Sequence, residues 1–156
     1  MDAREFLNQV KKLDKVIENK LIEKEQLKAI AEGTTSGNTS ITINGVLHSM
    51  EKVQATANPQ KMADAINRYI DIEAEIDLHI DELLKVKKDV VSVIEQLKTA
   101  EYDLLHKIYI QHMELWDAAD KCEKSYTWAK ATHKRALQNV QGILDQRSKG
   151  GASDAD

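Results

Sequence analysis

The chain has 156 residues, of which 42% are apolar and 31% charged, and its formal net charge is −4. One Pro, six Gly and 4% aromatic residues point to helices over sheets in one or two small domains. No run of about 18 apolar residues could span a bilayer, and MDAREFLNQV lacks a signal peptide's basic-then-apolar profile, so a cytoplasmic chain away from membranes is expected. The acidic balance excludes a protein that coats nucleic acid indiscriminately.

From Asp2 to Glu32 the apolar residues Phe6, Val10, Leu13, Ile17, Leu21 and Leu27 fall on one stripe of 3.6-residue period, which predicts a long helix stopped by Gly33. Residues 33–57 are rich in Gly, Ser, Thr and Asn and read as a polar loop. Within it, Asn44-Gly45 between Ile41-Thr42-Ile43 and Val46-Leu47 is a hairpin signal, so disorder and a small β-hairpin stand as equal alternatives. Asn58-Pro59 is a helix start, with a capping residue followed by a Pro whose missing N–H costs nothing there.

Met62, Ala65, Tyr69, Ile72, Ile76, Ile80, Leu83, Val86, Val90, Ile94 and Leu97 then recur at spacings of three and four to about Lys98. Two long amphipathic helices joined by a loop predict an antiparallel hairpin of coiled-coil type over residues 1–99. Ile70, Leu84, Val91 and Val93 add apolar surface beyond one seam, for which a second copy of the chain is the simplest cover. Asp71 to Glu82 carries carboxylates and no Lys or Arg, which suits a solvated face or a basic protein partner.

Residues 100–147 read as a trihelical unit. Leu104, Leu105 and Ile108 give the inner face of its first helix, Leu115, Ala118 and Cys122 that of the second, and Leu137 and Ile143 that of the third. Met113 to Leu137 holds the pattern of a helix-turn-helix: the small Ala119 where a second helix crosses, Ser125 as that helix's cap, and Ala129 as its buried inner residue. Glu123 occupies the turn position, where Gly is usual because φ > 0 is costly with a Cβ. Residues 148–156 read as a disordered polar tail.

AEYDLLHKIYI, followed by this pattern and HKRALQNV, resembles region 4 of the sigma factors. The chain more widely is similar to a prophage family of Gram-positive bacteria, through REFLNQVKKLDKVIENKLIEKEQLKAIA, NPQKMADAINRYIDIEAEIDLHIDELLKVKKDVVSVIEQL and the closing sigma-like module. Glu123 in place of the turn Gly, and Ala118 in place of a larger aliphatic residue, depart from that pattern. The resemblance implies an all-α phage transcription regulator that binds double-stranded DNA.

On that reading the second motif helix enters the major groove with Ser125 as its cap. Tyr126, Thr127, Lys130, Ala131 and Lys134 lie nearest the DNA, and Lys124 and Arg135 grip phosphates. From Lys121 to Lys149 there are seven basic residues (Lys121, Lys124, Lys130, Lys134, Arg135, Arg147, Lys149) against two acidic ones, Glu123 and Asp145. Any one of these lysines alone would be an ordinary solvated charge; only their clustering points to DNA. The expected protein is an activator, dimeric through the hairpin, with RNA polymerase as a further partner.

The rival expectation is a helical interaction factor that binds or blocks a host protein without reading DNA. No catalytic triad, phosphate-cradling loop or metal spacing is present, so neither an enzyme nor a cofactor is expected. Glu75 and His79 lie one turn apart, but a solvated helix face is the plainer reading. Cys122 has no partner for a disulfide and reads as a packing residue.

Overall fold

The computed structural model describes residues 1–32, 40–43, 46–49 and 59–151, and the chain is overwhelmingly helical. In order these are α1 (Ala3–Ala31), β1 (Ser40–Ile43), β2 (Val46–Ser49), α2 (Pro59–Ile94), α3 (Thr99–Leu105), a π-helical turn (His106–Ile110), α4 (Leu115–Lys121) and α5 (Tyr126–Gly150). The expected Gly33 stop, the Asn44-Gly45 turn and the Asn58 cap lie outside the described residues. β1 and β2 pair antiparallel with Ile43 opposite Val46, a register that leaves two residues for the connection and matches the hairpin alternative. No helix among the described residues is long and apolar enough to cross a membrane.

The chain forms two compact units. One unit holds residues 13–82. Here Ile17 of α1 and Ala65, Ile72 and Ile76 of α2 are buried, each on the stripe read from the sequence. Ion pairs flank this core: Lys20 Nζ is 2.6 Å from Glu75 Oε2, Lys24 Nζ 3.1 Å from Glu73 Oε1, and Arg68 3.6 Å from Glu23 Oε1. Glu75 is held below the usual carboxylate range by the hydrogen bonds it accepts from Lys20 and then Arg68, so two cations engage the carboxylate one turn from His79. Among the described residues no group of three or more His, Cys, Asp or Glu could hold a metal. Ile66, Ile70, Leu78 and Ile80 are exposed.

The other unit joins residues 1–12 to 83–156, so the boundary expected after residue 99 falls inside it. Asp2 and Glu5 open α1 reciprocally: the Glu5 N–H donates to Asp2 Oδ1 at 2.8 Å, and the Asp2 N–H to Glu5 Oε2 at 3.2 Å. Phe6, Leu7 and Val10 follow into the core, which also takes Leu83, Val90, Val93 and Ile94 from the end of α2. α2 stops at Ile94 rather than near Lys98. Its last N–H groups, on Gln96 and Leu97, tighten to bonds three residues back, and Lys98 turns extended (φ −61°, ψ 150°) to begin α3. No Gly or Pro marks this break in the sequence.

Leu104, Leu105, Ile108 and Tyr109 fill the middle of the unit, with α3 and α4 both packed on α5. α3 widens into the π turn, where the Gln111 N–H reaches the His106 carbonyl. The chain then reverses through His112 (φ 60°), with the Met113 N–H on the Lys107 carbonyl. α5 continues to Gly150, taking in the first three residues of the expected tail.

Leu104 and Leu105 are fully buried. Leu104→Ala should therefore destabilise the protein by about 2–5 kcal/mol, through lost transfer energy and the cavity left behind, read from the denaturant midpoint in urea.

Candidate nucleic-acid interface

α4 has seven residues, too few to be stable alone, so its placement rests on packing against α5. Ala118 and Ala119 on α4 and Ala129 and Ala136 on α5 are all 0–2% exposed. Side chains this small let the two backbones approach closely. Between the helices, Glu123 sits at φ 57°, so the turn takes the left-handed conformation despite lacking Gly. The Ser125 side chain then accepts the Trp128 N–H at 3.1 Å, capping α5 from an extended backbone (φ −73°, ψ 156°).

The buried side of α5 is Ala129, Thr132, Ala136 and Val140, at spacings of three and four. Successive residues turn by about 100°, which puts Thr127, Lys130, Ala131 and Lys134 together on the opposite side. All four are exposed, as are Lys124, Ser125, Tyr126 and Arg135. The eight residues named from the sequence thus lie on the solvent side of one capped helix start. Lys121, exposed at the end of α4, extends the same run of cations.

Two cation and aromatic pairs order this surface. Lys130 Nζ is 4.8 Å from the centre of the Tyr126 ring, and Lys124 Nζ is 6.0 Å from that of Trp128, each one helical turn away. Trp128 is half-buried and Tyr126 is 50% exposed. Arg135 reaches the Thr132 hydroxyl at 3.5 Å. Among the described residues, no carboxylate forms an ion pair with Lys124, Lys130, Lys134 or Arg135.

The carboxylates inside the unit are occupied. Asp103 pairs with Lys107 and accepts from the Cys122 thiol at 3.4 Å, and its carboxyl is held below the usual range chiefly by the Lys107 hydrogen bond. Burial and then Asp103 push the Cys122 thiol up, which favours its protonated form. Buried Glu101 accepts from the Asn139 amide at 3.0 Å. Sequence reasoning did not single out Trp116, which stands 63% exposed near the start of α4 between Glu114, Asp117 and Asp120. Its signal was available as an aromatic residue off the inner face marked by Leu115, Ala118 and Ala119.

Tyr109 and His133 join the π turn to α5. The Tyr109 hydroxyl lies 2.8 Å from His133 Nε2, and the rings stack with centroids 5.9 Å apart. Burial, then the charges of Arg4 and Lys11, hold the His133 pKa below its ordinary 6.5. No protein-family model, curated protein or solved structure matches the chain.

Two outcomes follow for this region. Ser125→Ala should cost about 0.5–2 kcal/mol, while Glu123→Gly should gain about 1 kcal/mol by relieving the left-handed strain, both read from thermal or urea unfolding. The second concerns pH. Because folding favours neutral His133, its contribution is complete above the unfolded value of 6.5 and is lost progressively as pH falls below 6.5 and through the lower folded value. The urea midpoint should fall between pH 7.5 and 5.5, and His133→Gln should flatten that fall.

Proposed function

We propose that the chain is a DNA-binding transcription regulator in which α4, the Glu123 turn and α5 act as a helix-turn-helix. The observation that carries this reading is the coincidence of cap, turn and charge. α5 starts at the Ser125 cap, and the cations Lys124, Lys130, Lys134 and Arg135 are exposed at and beyond it with no ion pair to a carboxylate among the described residues. Tyr126, Thr127, Lys130, Ala131 and Lys134 project as a recognition helix projects toward base edges and the flanking phosphates.

On this reading residues 100–147 form a sigma region 4-like trihelical module, and the amphipathic helices of residues 1–99 form the hairpin. The exposed Ile66, Ile70 and Ile80 give the hairpin an apolar line for a second copy of the chain. Paired modules gain apparent affinity through effective concentration, which offsets a small single footprint. The role inferred is that of a phage-type activator in the bacterial cytoplasm, with RNA polymerase as its protein partner. The chemistry asked of the site is recognition alone, with neither catalysis nor a cofactor.

Trp116 favours a second reading. A 63% exposed indole on a helix that also carries Asp117 and Asp120 suits a basic protein surface, as a non-enzymatic factor that binds or blocks a host protein would require.

The deciding experiment is binding of the purified protein to duplex fragments of the genome that encodes it, across a salt series. Fragment-selective binding that weakens steeply with salt is expected. Lys130→Ala/Lys134→Ala should weaken it about tenfold or more while leaving the circular dichroism spectrum unchanged. Selective binding that survives this change, or a folded wild type that selects no fragment, would overturn the reading.

A further inference from the structure

Within residues 1–12 and 83–156, the first turns of α1 lie along one edge of α5. The Ala3 N–H donates to Gln141 Oε1 at 2.7 Å, and Asp2, Ala3 and Arg4 share a surface depression with Leu137, Gln138 and Gln141. Further along, Lys11 Nζ stands 5.6 Å from the centre of the Tyr109 ring, whose other neighbour is His133. Arg4 thus borders α5 directly, and Lys11 sits on the tyrosine that stacks on His133 of α5.

The helical geometry says which edge this is. Counting about 100° per residue, Leu137 and Gln141 lie roughly 20° to either side of Lys130 around α5, and Lys134 lies about 40° from it on the Gln141 side. The α1 seam therefore borders the exposed strip that carries Lys130 and Lys134, and is not hidden behind it. On α1 itself Arg4, Asn8 and Lys11 fall in one line by the same count, beside the buried Leu7. The acidic residues of this end are already engaged, since Asp2 and Glu5 cap the helix reciprocally. Among the described residues, neither Arg4 nor Lys11 pairs with a carboxylate.

We propose that Arg4 and Lys11 form a second, non-local half of the nucleic-acid surface, holding the phosphate backbone of duplex DNA beside the strand contacted by Lys130 and Lys134. This rests on the DNA-binding reading of α5. Cations at the first turns of α1 and on α5 span a longer stretch of backbone than one helix start can. They contribute register and salt dependence without base selectivity. The seating of Lys11 on Tyr109 keeps its ammonium at this edge instead of sweeping through solvent.

The test compares the full-length chain with Arg4→Gln/Lys11→Gln and with Lys130→Ala/Lys134→Ala on the same selected duplex. Gln keeps much of each side-chain stem, so packing is retained while charge is lost. Arg4→Gln/Lys11→Gln should weaken binding about tenfold and lower the slope of log affinity against log salt by about 2, with the ranking of fragments unchanged. Arg4→Glu/Lys11→Glu should weaken it further. If Lys130→Ala/Lys134→Ala abolishes binding while Arg4→Gln/Lys11→Gln keeps the wild-type slope, this inference falls and the reading of α5 stands. A folded wild type that binds no duplex overturns both.

Discussion

The close seam of α4 on α5 is the contact on which the exposed basic surface depends. Ala118, Ala119, Ala129 and Ala136 are almost wholly buried, and α4 spans only seven residues. A helix of that length gains almost nothing from its own hydrogen bonds, because nucleation costs more than two turns return. Its position is fixed by what it buries. With α4 in place, the start of α5 must fall at Tyr126, its cap at Ser125 and its buried stripe at Ala129, Thr132, Ala136 and Val140. The outward residues are then determined as the remainder of the helix circumference. The charged face is thus a consequence of an alanine seam that makes no contact with it.

Electrostatics in the same unit are sorted by burial. Buried Glu101 is matched by Asn139, and the half-buried Asp103 by Lys107 with the Cys122 thiol. Asp89 near the far end of α5 pairs with Arg147 at 2.8 Å. Exposed ion pairs of this kind contribute little stability. Their effect is on distribution, since they neutralise charge away from the capped end of α5 and leave Lys124, Lys130 and Lys134 as a net positive field. A chain with an overall charge of −4 can thereby present a cationic surface at one place.

Local features of this arrangement were legible in the sequence. Ser125 caps its own helix through the Trp128 N–H three residues on, Ala119 and Ala129 are spaced by the geometry of a crossing, and the stripes of α1 and α2 follow a fixed period. Features imposed by tertiary packing were not. Leu7 looks like an off-stripe residue but is fully buried. The extended Lys98, the π turn at His106–Ile110 and the left-handed His112 carry no Gly or Pro to announce them. Arg4 meets Leu137 and Gln141 of α5 across more than 120 residues of chain, and Lys11 meets Tyr109 across more than 90, separations that no periodicity encodes.

Glu123 bears on whether the departure from Gly at the turn impairs the unit. A left-handed residue with a Cβ costs about 1–2 kcal/mol, which is within what one well-packed seam returns. Its φ of 57° shows that the packing of α4 on α5 imposes the turn on an unfavourable residue. The strain is therefore borne by the core, and the exposed face inherits the geometry intact. What Glu123 changes is charge, since its carboxylate sits one residue from Lys124, beside the capped helix start that attracts anions. The effect of that carboxylate is to lower the field at this end of the surface relative to Lys130 and Lys134. A duplex held here would accordingly draw more of its attraction from the body of α5 and its α1 edge than from the turn.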